Sequence, residues 1–155
     1  MGRRRQAREL ALQALYFLDA RAGDPEEAMA LFHSNFTPPR QARDFMDRLV
    51  QGVTANRQTI DAIVERYSEN WKLFRMPRVD RNVIRMAAFE MFWQADIPHS
   101  VSINEAIDLG KQYGTDDSGA FINGILDRIR KALESGELAP PAIDVGEGTG
   151  QPETA

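Results

Sequence analysis

INEAIDLGKQYGTDDSGAFINGILDRI, residues Ile103 to Ile129, reads as two amphipathic helices joined by a polar elbow, and carrying that reading outward gives an all-α fold. Ile103, Ala106, Ile107 and Gly110 recur on one face at helical spacing. Just upstream, Ser102 and Glu105 stand in capping-box register, so the spacing predicts a helix that starts at Ser102. Gly114 is placed to end it in the left-handed conformation. Asp116, Asp117 and Ser118 follow as candidate caps for the next helix. Its apolar stripe is Phe121, Ile122, Ile125, Leu126 and Ile129, with Gly119 and Gly124 leaving room for a close neighbour. The elbow has no catalytic grouping and points to recognition.

The remaining periodicity is helical too, with no clean period-two run that reads better as a strand. A first helix is expected over Arg4 to Ala20, with Leu10, Ala11, Ala14, Leu15, Phe17 and Leu18 inward and Gly23 at its end. Asp24 followed by Pro25, then Glu26 and Glu27, form a cap and a dipole-matched first turn for a short second helix. Thr37 and Pro38 repeat the device ahead of a third, through Phe45, Leu49 and Val53 to about Ala55. Asn56 or Thr59 can start a fourth through Ile60, Ile63, Val64 and Tyr67, and a short linker holds Trp71, Phe74 and Met76. Val79, Val83, Ile84, Met86, Ala87, Phe89, Met91 and Trp93 make the next helix apolar on most of its circumference, which predicts the central element. The expectation is a compact single-domain bundle of about seven helices over residues 1–135. Beyond it, 136–155 is an acidic tail, rich in proline and glycine, that should be disordered.

At 155 residues the chain can bury about 70% of its unfolded surface as one domain. The absence of cysteine excludes disulfides and thiolate chemistry and fits a cytoplasmic location. No apolar run approaches the ~20 residues that span a bilayer, so no membrane role is expected. The net charge of −4 is unevenly spread, since five acids and no base lie from Ala132 onward. Of the 19 basic residues 16 are arginine, and four of these fall within the first eight residues.

Little here supports catalysis. His33 and His99 are the only histidines, far apart and read as exposed loop residues, and neither a Gly-x-Gly-x-x-Gly turn nor a phosphate loop is present. The acid pairs Glu26/Glu27 and Asp116/Asp117 sit at helix starts, where capping explains them better than a metal. No enzyme activity, cofactor or metal is expected. The N-terminal arginines have no such local explanation, because cations at a helix start oppose its dipole. A polyanion reverses that sign, and arginine offers phosphate a planar, bidentate contact. Arg4, Arg5 and Arg8 are read as facing one side, and a solvated basic leader is the competing reading.

RRRQARELALQALY (Arg3 to Tyr16), RVDRNVIRMAAFEM (Arg78 to Met91) and the opening stretch, in that order, resemble the NusB family of transcription antitermination factors from about Arg3 to Leu133. The resemblance implies an all-helical protein that binds boxA-like single-stranded RNA together with the small-subunit ribosomal protein NusE, joins the transcription elongation complex and supports ribosomal RNA transcription. It implies RNA contacts for Arg3, Arg4, Arg5, Arg8, Tyr16, Asp117 and Phe121, with capping as the other role of Asp117 and core packing that of Tyr16 and Phe121. NusE contacts are implied for the helix bearing Asp80, Arg81 and Arg85, with a solvated face as the alternative. The family permits both a monomer and a homodimer. Four phosphate contacts would give a log–log salt slope of about −2.8 on a single strand. Gln6, which interrupts the basic run, and the acidic tail depart from the pattern, and the tail could compete with RNA for the arginines. A helical interaction adaptor is the alternative function. A similar domain precedes the catalytic domain of certain ribosomal RNA cytosine methyltransferases, but the cysteine such enzymes use is missing here.

Overall fold

The computed structural model describes residues 2–21, 24–35, 37–69 and 71–144. They form seven α-helices: α1 (Gly2–Ala20), α2 (Pro25–Asn35), α3 (Arg40–Ala55), α4 (Arg57–Arg66), α5 (Arg78–Trp93), α6 (His99–Tyr113) and α7 (Ser118–Ser135). A single 3-10 turn, Leu73–Arg75, precedes α5, and no strand occurs among the described residues.

The expected central helix is central. α5 buries Val83, Ile84, Met86, Ala87, Ala88, Phe89, Met91 and Phe92, and α1, α3, α4, α6 and α7 all pack against it. α1 and α3 run side by side in the same direction: Arg4 lies over Phe45 near their starts, and Arg57, just past α3, reaches Asp19 near the end of α1. α5 runs the opposite way, with Arg81 bonded to Asp19 and Glu90 to Arg8. Gly52 lets α3 approach α5 closely, because a Cβ there would overlap the Phe89 ring.

The Asp24 carboxylate accepts from the Glu26 amide, as its place before Pro25 predicts. Thr37 caps nothing; α3 begins after Pro39, with no side-chain cap. α6 likewise begins at His99 behind Pro98, one turn before the expected start, so Ser102 lies inside the helix. Its hydroxyl donates to Glu90 on α5 at 2.7 Å instead of capping. The motif uses that hydroxyl as an acceptor at a helix start, and inside the helix it serves as a donor to a buried carboxylate. Gly114 is not left-handed (φ −101); a Cβ there would overlap the Ser118 hydroxyl, and close approach is its role. A Cβ on Gly124, by contrast, would meet nothing closer than Arg128 at 4.0 Å. Both histidines sit on helices, α2 and α6, and not in loops. Gly23 lies outside the described residues.

The chain past α7 corrects the expectation of disorder from residue 136. Gly136 turns the chain at φ 85, Leu138 inserts into the core, and the Leu138 amide donates to the Ala132 carbonyl at 3.0 Å. Trp93 Nε1 then donates to the Pro141 carbonyl at 2.7 Å, and the Asn56 side chain holds Asp144 by both backbone groups, at 2.9 and 2.7 Å. One leucine and two side-chain donors are enough to seat a segment whose composition reads as a tail. Residues 145–155 of the expected tail lie outside the described residues.

Candidate nucleic-acid interface

The first turn of α1 projects beyond the bundle beside the turn that joins α5 to α6. Arg3, Arg4 and Arg5 are exposed there, and Arg3 makes no ion pair among the described residues. Arg4 Nη2 donates to Asp96 at 3.1 Å while its guanidinium carbon sits 4.6 Å from the centroid of the Phe45 ring. Arg5 forks onto Glu105 (3.2 and 3.0 Å) and also reaches Asp108 at 2.8 Å. Hydrogen bonds to those two carboxylates push the Arg5 guanidinium well above its usual range, so its charge is fixed at any working pH. Its Nη1 is left to a ligand. Between Arg4 and Arg5 and the α5–α6 turn runs a groove whose other wall includes exposed Pro98 and Val101. Guanidinium groups over apolar side chains suit an unpaired strand, whose phosphates seek charge and whose bases seek flat apolar contact.

Arg8 also lines that groove, but with almost no exposed surface. It is 4% exposed; its Nε and Nη2 donate to the two carboxylate oxygens of Glu90 at 2.8 and 2.9 Å, and Glu90 is itself 1% exposed. The Arg8 fork expected to meet a phosphate is thus taken up inside the protein by Glu90. Arg8 fixes the turn that carries Arg3, Arg4 and Arg5. One-sided presentation of Arg4, Arg5 and Arg8 is likewise replaced by three directions, toward α3, α6 and α5.

Arg5 and Tyr16, eleven residues apart, share a stripe of α1 and stand about 16 Å apart along its axis at 1.5 Å per residue. Tyr16 is exposed, with the Arg78 guanidinium 5.6 Å from its ring centroid. Between them Glu9 meets Tyr113 of α6, whose hydroxyl is raised by burial and by that carboxylate. The elbow then continues the strip. Asp117 is exposed and caps nothing with its side chain. Phe121 is half-buried and packs edge-on against exposed Trp71 at 5.9 Å. The elbow is seated by Ser118, whose hydroxyl donates to Asp80 at 2.7 Å and accepts from the Thr115 amide at 2.9 Å.

The three residues expected to meet a protein partner face inward. Asp80 is buried against Ser118, and burial raises its carboxyl despite that hydrogen bond. Arg85 is buried between Asp61 (2.8 and 3.0 Å) and Asp19 (3.3 Å). Arg81 forks onto Asp19 at 2.7 and 3.1 Å and donates through Nη1 to the carbonyls of Leu73, Phe74 and Met76. Consecutive polar residues on a helix buried over most of its circumference have no solvated face to occupy. Of the three only Arg81 reaches the 3-10 turn, where Phe74 is 73% exposed, while Met76 is buried in the core. The groove residues Asp96, Pro98 and Val101 and the anchors Glu90, Glu105 and Asp108 were not signalled as site residues by any local motif. The described part of the C-terminal strap reaches Asn56, at the Asp19 end of α1 and about 24 Å along that helix from Arg3.

Comparison with known proteins places this arrangement among related chains. The family model described as NusB family matches residues 5–131. A transcription antitermination protein NusB from Desulforapulum autotrophicum is 57% identical over 141 residues, covering 88% of this chain and 99% of that relative. Among solved structures, T. maritima NusB superposes with a TM-score of 0.75 at 40% identity, over 87% of this chain and 97% of that one. A chain from a crystal structure of the antitermination factors NusB and NusE with double-stranded RNA superposes at 0.73 with 28% identity, over 85% of this chain and 98% of its own length.

Proposed function

We propose, because the chain belongs to the NusB family, that it is a transcription antitermination factor that binds boxA-like single-stranded RNA around the first turn of α1, acts with NusE in the transcription elongation complex and supports ribosomal RNA transcription. The observation that carries the RNA reading is the groove between Arg4 and Arg5 and the Pro98–Val101 wall, with Arg3 exposed in the same helical turn. Phosphates would meet the guanidinium groups, bases the apolar wall, and the strand would continue past Tyr16 to the elbow. There the Asp117 carboxylate is free to accept from base amino groups, and Phe121 offers an aromatic edge. The protein acts by binding and not by catalysis. NusE is assigned to the face around Trp71 and Phe74, which Arg81 holds in place from beneath.

The salt dependence tests this reading. With Arg8 withdrawn from solvent, three phosphate contacts remain, and the log–log slope for a boxA-like single strand should be about −2. Replacing Arg3 and Arg5 with glutamine should flatten it by about 1.4 and weaken binding on the order of tenfold at 0.15 M salt. Fluorescence anisotropy of labelled RNA reads both. A slope and affinity unchanged in the double variant would remove the RNA role from this turn and favour the adaptor reading.

A further inference from the structure

We infer that Arg48 of α3 forms an outer phosphate subsite, at the mouth of the groove, which receives the RNA backbone beyond the segment held by α1. Three guanidinium carbons surround the Phe45 ring, at 4.6 Å for Arg4, 5.3 Å for Arg8 and 5.9 Å for Arg48. Their charges are not equally compensated. Arg8 is neutralised by buried Glu90, and Arg4 shares its charge with exposed Asp96. Arg48 is exposed and makes no ion pair among the described residues; its Nη1 donates only to the amide oxygen of Gln94, at 3.2 Å. Asp44 stands at the helical spacing where a carboxylate could pair with Arg48, yet it does not. Cations gathered around one ring repel each other, and an anion seated between Arg4 and Arg48 relieves that repulsion.

The position fits the strand's course. Gln94, which holds Arg48, and Asp96, which holds Arg4, belong to the same turn after α5 that leads into the groove wall at Pro98. A chain leaving the groove on the α3 side therefore passes Arg4 and then Arg48. Phe45 is only 7% exposed, so it serves as a platform for guanidinium groups and not as a stacking surface for bases. That leaves phosphate as the matching chemistry, and the free edge of a guanidinium can take it through two parallel hydrogen bonds.

This subsite rests on the RNA reading above, and the experiment separates the two. Anisotropy titrations compare wild type, Arg48→Gln and the Arg3→Gln/Arg5→Gln variant on a boxA-like RNA and on the same RNA lengthened by six uridines at either end. Extension at one end should tighten wild-type binding severalfold, and Arg48→Gln should erase that gain and flatten the salt slope on the extended RNA by about 0.7, one phosphate contact. If Arg48→Gln keeps the full gain while the Arg3/Arg5 variant loses affinity, the subsite is wrong and the RNA groove stands. Equal loss on short and extended RNA would also overturn the outer placement. Failure of wild type to bind any of these RNAs would overturn the groove itself, and the subsite with it. Unchanged thermal unfolding of Arg48→Gln by circular dichroism is the control for fold.

Discussion

Replacing Arg8 with alanine is expected to lower the stability of the fold by about 3–5 kcal/mol, the cost of leaving one member of a buried ion pair alone. Glu90, 1% exposed, would keep its carboxylate in the interior with only the Ser102 hydroxyl, on Oε1, as a side-chain donor among the described residues. The pair itself is well made, since both oxygens of Glu90 accept from the Arg8 fork at 2.8 and 2.9 Å. Urea unfolding followed by circular dichroism measures the loss. A companion variant decides what the arginine is for. Arg8→Met combined with Glu90→Leu removes both charges and replaces them with apolar groups, and such exchanges are often neutral for stability. On the present geometry the double variant should recover most of the stability and bind RNA nearly as wild type does. If Arg8→Ala costs less than about 1 kcal/mol, or if the stable double variant loses RNA, Arg8 is a ligand contact and the assignment of a structural role is wrong.

Asp19→Ala should be comparably damaging, at about 3–5 kcal/mol, because one carboxylate organises the opposite end of the molecule. Its oxygens accept from Arg81 (2.7 and 3.1 Å), Asn82 (2.9 Å), Arg85 (3.3 Å) and Arg57 (3.4 Å), and its side chain is 5% exposed. Burial alone would raise the Asp19 carboxyl, but hydrogen bonds from Arg81 and Asn82 and the charges of Arg85 and Arg81 outweigh it and bring it down to about 2 from 3.8. A carboxyl depressed in the folded state contributes stability above its unfolded value and loses it as pH falls through the folded one. Between about pH 4 and pH 2 wild type should therefore shed roughly 2 kcal/mol that this group supplies, at about 1.4 kcal/mol per pH unit of displacement. Urea midpoints taken across that range should fall more steeply for wild type than for Asp19→Asn. Parallel acid profiles for the two proteins would show that Asp19 does not hold the network. Since Arg81 also carries the 3-10 turn, loss of Asp19 should loosen Phe74 and Trp71 and weaken NusE binding before RNA binding.

What the sequence shows and what it conceals follow from the range of the interactions. α5 is legible as the centre because its apolar positions leave almost no polar face, a property held within sixteen residues. The hairpin of α6 and α7 is legible for the same reason, and so is the cap at Asp24, whose partner is two residues away. Arg8 and Glu90 are 82 positions apart, so nothing local distinguishes the buried arginine from its exposed neighbours Arg4 and Arg5. Tertiary contacts also undo the capping box. Ser102 and Glu105 obey the motif, but the helix begins a turn earlier behind Pro98, the Ser102 hydroxyl donates to Glu90, and Glu105 is drawn to Arg5. Asp80, Arg81 and Arg85 look like a solvated strip only while Asp19, Asp61 and Ser118 are out of view. The strap past Gly136 was hidden by composition, because a segment can be mostly proline, glycine and acid and still be seated by Leu138 and the side chains of Trp93 and Asn56.

The central claim is that single-stranded RNA lies around the first turn of α1 and runs to the elbow before α7. Amide shift mapping of the isotope-labelled chain, titrated with a boxA-like RNA and with a scrambled RNA of equal length in the presence and absence of NusE, tests it most directly. The account predicts shift changes concentrated at Arg3 to Arg8, Asp96 to Glu105 and Tyr113 to Phe121, stronger with the boxA-like sequence and at lower RNA concentration when NusE is present. Changes confined to α2 and α4, or identical with both RNAs in every condition, would contradict it.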